Sequence, residues 1–339
     1  MGGPLALLAA LWALGAAGDA ALRIGAFNIR SFGDSKVSDP ACSGIIAQIL
    51  AGYDITLVQE VRDSDLSAVS ALMELINRYG GVSRHEYSFV NSKPLGRDQY
   101  KETYLFKDTV SLVDTYQYLD PEDAFSREPF VVKFSAPGSA AEELVLIPLY
   151  AAPHQAVAEI DALYDVYLDV IDKWGTYDML FLGDFNADCS YVQAQDWPAI
   201  RLRSSEVFKW LIPDSADTTV GNSDCAYDRI VVCGARLRSS LKPQSAAVYD
   251  FRRNLACTST AVGGGGVKKA GPLQPAGWRR WDMWRASSLV SRQVGLRSCP
   301  QNLNSSRWYS PFKGAFLVAS SSGALGWART QQGGQWPAT

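Results

Sequence analysis

Met179-Leu-Phe-Leu-Gly-Asp-Phe-Asn186 is the stretch on which the fold class turns. Its four leading apolar residues read as a buried strand. The strand runs into a glycine, a carboxylate and, two residues on, an amide. Working outward, other apolar runs end in the same way. Leu22-Arg-Ile-Gly-Ala-Phe-Asn28 alternates like a half-buried strand and closes on Asn28. Ile55-Thr-Leu-Val-Gln-Glu60 closes on Glu60. Tyr104-Leu-Phe106, Phe130-Val-Val-Lys-Phe134, Leu144-Val-Leu-Ile147 and Arg229-Ile-Val-Val232 read as further strands. Asp63 or Ser64 can cap a helix over Leu66 to Arg78, with Gly80 to stop it. Ile160, Leu163, Tyr164, Tyr167, Leu168 and Ile171 follow helical spacing, with Glu159, Asp161, Asp165, Asp169 and Asp172 assigned to a solvent face. Strands outnumber helices, and neither a strict βαβ rhythm nor a repeat occurs. The pattern predicts one mixed α/β domain over 22–251.

The chain has 339 residues, room for one large domain or two ordinary ones. An apolar content of 47% excludes a mainly disordered or collagenous protein. The net charge of −3 hides a strong asymmetry: of 32 basic and 35 acidic residues, 12 and one respectively fall from Arg252 onward. There the periodic patterns stop, and a run of glycines from Gly263 to Gly266 follows. Residues 252–339 form a basic, Gly/Arg/Trp-rich tail expected to be mostly disordered, in which Phe316-Leu-Val-Ala319 alone is strand-like. Its Arg/Trp mixture suits nucleic acid by charge and stacking. The plainer reading is an unselected extension.

Leu5 to Gly15 is an apolar run too short to span a bilayer. Small residues follow it (Ala16, Ala17, Gly18, Ala20), so 1–20 reads as a secretory signal although it lacks Lys and Arg. No later apolar stretch suggests a transmembrane helix, and no membrane partner is expected. Some of the six cysteines should pair in a secreted chain. None of their spacings is zinc-like.

Asn28, Glu60, Glu102, Asp184, Asn186 and Asp228 all sit at or near strand ends, where a rigid sheet can present side chains to a ligand. Such oxygen-rich groups suit Mg²⁺ or Ca²⁺ beside phosphate. Each alone is more often a turn former or cap.

Ala26-Phe-Asn-Ile-Arg30, Val58-Gln-Glu-Val-Arg-Asp63, Tyr100-Lys-Glu-Thr-Tyr-Leu-Phe106, Phe125-Ser-Arg-Glu-Pro129, Gly183-Asp-Phe-Asn-Ala-Asp-Cys-Ser190 and Cys225-Ala-Tyr-Asp-Arg-Ile230 together resemble the deoxyribonuclease I family, over about 22–251. The resemblance implies a four-layer α/β/β/α sandwich and Ca²⁺/Mg²⁺-dependent endonucleolytic cleavage of DNA, with Mn²⁺ as a substitute for Mg²⁺. By that resemblance Glu60 is the principal metal carboxylate, with Asn28 beside it. Asp184 and Asn186 hold metal and scissile phosphate. Arg62, Tyr100 and Arg127 contact DNA. Asp217 and Thr219 belong to one structural Ca²⁺ site. Asp123, the Phe125 carbonyl and Glu128 belong to a second, although the loop before Asp123 is shortened against the family pattern. Cys189 and Cys225 match the family disulfide, worth roughly 4 kcal/mol by loop closure. A monomer is expected. Actin, a partner of one family member, is not decided by these residues.

Two departures alter the functional expectation. The family activates water and protonates the leaving oxygen with two histidines, each oriented by a carboxylate. Glu102 and Asp228 match the carboxylates. The first histidine is replaced by Tyr150 in Pro148-Leu-Tyr-Ala-Ala-Pro153, and the Ser-Asp-His segment that carries the second is absent. Of the two histidines present, His85 reads as a surface residue and His154 as a solvated loop residue. A tyrosine hydroxyl titrates near pH ~10 and is a poor base at neutrality. Each lost acid–base group costs about 10²–10⁴ in rate. The expectation is a secreted nuclease scaffold with severely reduced cleavage. The alternative is a non-catalytic DNA- or protein-binding module. The family's missing terminal segment also supplies a core strand. The tail is expected to replace it poorly, leaving neighbouring strands with open edges.

Overall fold

The computed structural model describes residues 21–79, 85–139, 142–219, 223–249 and 313–319. Strands β1 (Arg23–Phe32), β2 (Ile55–Val61), β3 (Tyr87–Asn91) and β4 (Lys101–Lys107) build most of one sheet. Strands β5 (Ser111–Gln117), β6 (Phe130–Ser135), β7 (Glu143–Pro148), β8 (Met179–Asp184), β9 (Lys209–Trp210) and β10 (Asp228–Cys233) build the other. Strands β11 (Leu241–Val248) and β12 (Lys313–Ala319) return to the first sheet, whose order is β11-β12-β1-β2-β4-β3. The second sheet is ordered β5-β6-β7-β8-β10-β9. Only β1–β2 and β7–β8 among these neighbours are parallel.

The period-two alternation of strands sorts the side chains into layers. Ile24, Ala26, Leu57 and Tyr104 of the first sheet meet Val132, Phe134, Leu146, Leu180, Leu182, Ile230 and Val232 of the second in one buried cluster. The intervening residues of the second sheet, Val131, Val145, Ile147, Phe181 and Val231, face the other way. They pack on Ile160, Leu163, Val166 and Val170 of the long helix Ala156–Trp174, which we label α3. Each such side chain contributes about 1.5–3 kcal/mol by leaving water. On the first sheet Phe27, Ile29 and Val58 are buried outside the inter-sheet cluster. Helices α1 (Pro40–Leu50) and α2 (Ser67–Tyr79) bury Ile46, Leu50, Val69, Leu72 and Ile76, and lie against each other. Two sheets back to back with helices on both outer faces are the four layers expected.

Several details depart from the sequence reading. Glu159, assigned to the wet face of α3, is fully buried. The tail, expected to leave neighbouring strands with open edges, supplies β12, which pairs antiparallel with both β1 and β11. Its register sets Lys313 opposite Asn28 and Val318 opposite Arg23. The rest of the tail, the proposed signal segment and Gly80 lie outside the described residues. Among those described, no helix is long and apolar enough to cross a membrane.

Candidate active site

At one end of the sandwich the two sheets are tied by polar side chains instead of apolar ones. Asn28 and Gln59 fall on the strand faces that carry Ala26 and Leu57, so they point between the sheets. Asn28 Nδ2 donates to Glu60 Oε1 at 3.1 Å and to Asp184 Oδ2 at 3.0 Å. Gln59 Nε2 donates to Glu102 Oε1 at 3.1 Å and to the Leu149 carbonyl at 3.0 Å. Its Oε1 accepts the Asp184 backbone N–H at 2.9 Å. The sequence reading passed over Gln59. Its signal was a polar residue on the core face of an otherwise apolar strand.

Backbone irregularity aims these groups. Register shifts between β1 and β2, and between β2 and β4, bracket Glu60, whose φ is +58°. A β-bulge of this kind re-aims a side chain beside a site, and a non-glycine residue in the left-handed region is held there by its surroundings. Glu60 Oε2 accepts the Ser31 N–H at 3.2 Å, so both carboxylate oxygens are fixed. Gly183 has φ +131°, and a Cβ there would stand 2.4 Å from the Leu149 carbonyl and 2.8 Å from the Gln59 amide. Only glycine lets β7, β8 and Gln59 converge so closely. Asn186 follows with φ +48° and donates from Nδ2 to the Ala151 carbonyl at 2.8 Å.

Asp228 is fully buried at the start of β10, in register with Asp184. Its backbone N–H donates to Thr218 Oγ1 at 3.0 Å. The next residue, Arg229, is also fully buried and donates to the carbonyls of Ala226, Ile212 and Ala187 and to Asp214. It fastens β10 to the loop after Asn186. The Cys189–Cys225 disulfide closes the same region.

Tyr150 faces this metal-type cluster. Arg127 lies over its ring at 3.8 Å, and over the Tyr100 ring at 5.0 Å. Arg127 Nη2 also pairs with Asp98 at 3.0 Å. The buried Glu159 positions this stack: its Oε1 accepts from Ser126 Oγ at 2.7 Å and from the Ala152 N–H at 3.1 Å, joining the segments that carry Arg127 and Tyr150. Burial, followed by the negative charges of Glu60 and Asp184, raises the Tyr150 hydroxyl well above its ordinary range. At neutral pH it is a phenol, a donor without basic character. Burial likewise raises the Glu102 carboxyl to about 7, against the smaller opposing pull of Gln59, the Phe130 amide and Arg127.

The remaining expected site residues are spread more widely. Arg62 is exposed, and Tyr100 exchanges a hydrogen bond with Ser31 Oγ at 2.8 Å. Asp217 Oδ1 accepts from the Thr219 N–H and hydroxyl at 2.8 and 2.7 Å, a closed turn at the surface. The loop of Asp123 and Phe125 is organised by Asp120, whose two carboxylate oxygens accept the Ala124 and Phe125 N–H groups at 2.9 Å each. The Glu128 carbonyl instead accepts from Gln117. His85 is at the surface against Asp108, and His154 is exposed, edge-on to Tyr191.

For a hard cation the donor set fits. Glu60 and Asp184 are brought within reach of one amide, and Asn28 Oδ1 is buried without a hydrogen-bond partner among the described residues. A buried carbonyl oxygen left over beside two carboxylates suits a ligand that takes oxygen donors.

Comparison with known proteins settles the family. Residues 25–286 match the model of the Endonuclease/Exonuclease/phosphatase family. The chain belongs to that family. Within it, it belongs with the deoxyribonuclease I group. It is 77% identical over 283 residues to Deoxyribonuclease-1-like 2 of Homo sapiens, spanning 77% of this chain and 94% of that protein. It is 55% identical over 259 residues to Deoxyribonuclease-1 of Gallus gallus, spanning 74% and 90%. Among solved structures it is similar to a humanized TDP2 of D. rerio, with a TM-score of 0.49 and 16% identity over 68% of this chain and 90% of that one.

Proposed function

We propose that this member of a nuclease family is a secreted, Mg²⁺/Ca²⁺-dependent DNA phosphodiesterase that retains its metal and phosphate flank and cleaves slowly. The observation that carries the reading is Tyr150, a half-buried phenol held under Arg127 and facing Glu60 and Asp184. Asn28, Glu60, Asp184 and Asn186 would hold the divalent cation, Mg²⁺ or Mn²⁺, and such a cation polarises a phosphoryl oxygen and neutralises developing charge. Tyr100, on the cavity wall, and the exposed Arg62 would contact DNA. The Asp217–Thr219 turn supports a structural Ca²⁺, while the Asp120-closed loop supports the second site less well. The apolar N-terminal run and the Cys189–Cys225 bridge favour secretion.

A second reading, a DNA-binding module without cleavage, is favoured by the same tyrosine and by the missing Ser-Asp-His segment. One pair of assays separates the two. Plasmid nicking with Mg²⁺ and Ca²⁺ should be slow, and EDTA and Glu60→Ala should abolish it. A DNA-binding titration should show affinity retained. Binding with no nicking above the Glu60→Ala background selects the second reading, and loss of both rejects the two together.

A further inference from the structure

Resting on the hydrolytic reading above, we infer that Glu102 itself takes the proton of the attacking water, in the place the family gives to an imidazole oriented by this carboxylate. The geometry comes first. Glu102 is 5% exposed at the inner end of the cleft. Its Oε1 is occupied by Gln59 Nε2. Among the described residues no donor meets its Oε2 in hydrogen-bond geometry, and the Phe130 amide, beside the carboxyl, draws it only modestly toward ionisation. It lines a cavity shared with Glu60, Tyr100, Arg127 and Tyr150, with room for about one water molecule. A buried acceptor in the wall of a cavity of that size leaves a hydrogen bond that one water can supply.

Chemistry selects Glu102 over its neighbours. Tyr150 is a neutral phenol and a poor proton acceptor. Glu60 spends both oxygens on Asn28 and Ser31 and belongs to the cation site. Lys101, also on the cavity wall, is turned to the Asp63 and Ser64 carbonyls. Arg127 and Gln59 draw Glu102 toward ionisation, while burial opposes it more strongly, so the carboxyl titrates near neutrality, where a general base is most effective. Tyr104, on the same face of β4, is held neutral by burial and by Glu102.

The step balances. A water in the cavity gives one proton to Glu102 Oε2 as its oxygen bonds to phosphorus. The phosphorus–oxygen ester bond breaks, and the departing oxygen takes a proton from solvent. Glu102 then releases its proton to solvent. Nothing is oxidised or reduced.

The test follows plasmid nicking by the full chain with Mg²⁺ and Ca²⁺ from pH 5.5 to 9, with DNA affinity and a thermal melt for each variant. The unaltered chain should gain rate through one ionisation near pH 7. Glu102→Gln should lower the rate about 100-fold, flatten the profile and leave DNA affinity unchanged. Glu102→Asp should keep the rising profile at reduced rate, which separates lost basicity from lost folding. Glu60-dependent cleavage with an unchanged profile in Glu102→Gln, whatever its rate, would overturn this inference alone. Cleavage no faster than that of Glu60→Ala would overturn it together with the hydrolytic reading.

Discussion

The two flanks of the cleft are built differently. The flank proposed to hold metal, Asn28, Glu60, Asp184 and Asn186, is fixed by the backbone: a bulge with positive φ at Glu60, a glycine that admits no Cβ at position 183, and amides that join both sheets. The flank to which the resemblance assigns proton transfer presents Tyr150 and Glu102, without the family histidines. A network of mutual restraints survives the loss of a neighbour. A proton-transfer pair loses its chemistry with a single replacement, while packing is hardly disturbed. That contrast is why slow cleavage on an intact site is proposed.

The largest effect expected is repair of the weaker flank. Tyr150→His alone should restore little, because the leaving oxygen still lacks its acid. Exchanging 252–339 for a family-type Ser-Asp-His terminus should restore slight cleavage. Both changes together should exceed either alone by several orders of magnitude, since groups in one proton-transfer cycle do not act additively. Nicking rates of the four chains at equal folded concentration check this.

Next in size is a break in the stronger flank. Gly183→Ala would drive a Cβ into the Leu149 carbonyl and the Gln59 amide from a strained φ. It should destabilise the domain by about 3 kcal/mol. A urea titration that leaves the midpoint unchanged would show that the convergence at Gly183 is not what fixes the metal flank.

A comparable but pH-dependent effect belongs to Glu102. Between its ordinary value of 4.5 and about 7, the folded chain holds a proton that the unfolded chain has released. Stability therefore falls as pH rises through that window and stays lower above it. The full cost is on the order of 3 kcal/mol. Glu102→Gln should match the unaltered chain near pH 4.5 and melt higher at pH 8, in EDTA. Equal melting points at pH 8 would mean that the buried carboxylate carries no such penalty.

Strong periodicity made much of this legible in the sequence. The apolar runs at 22–28, 55–60, 130–134, 144–147, 179–182 and 229–232 lie in or against β1, β2, β6, β7, β8 and β10, and the two helical patterns lie on α2 and α3. Helix α1 was missed because Ser43 and Gly44 interrupt its period, although Asp39, whose side chain accepts the Ala41 and Cys42 N–H groups, and Pro40 after it form a helix start. Strand β5 was missed because Leu112 and Val113 both lie exposed, so no alternation marks it. The residues proposed to meet a ligand stand out by type at strand ends. Gln59 and Glu159 work through other residues, and their burial comes from tertiary packing that local pattern does not encode.

A sound metal flank beside a weakened proton-transfer flank is the proposal most exposed to experiment. Single-turnover nicking of supercoiled plasmid by the unaltered chain, at saturating Mg²⁺ with Ca²⁺, tests it most directly when run beside Glu60→Ala and Tyr150→Phe. The account predicts slow cleavage that EDTA and Glu60→Ala abolish. Fast cleavage that needs Glu60 and is indifferent to Tyr150 would contradict it.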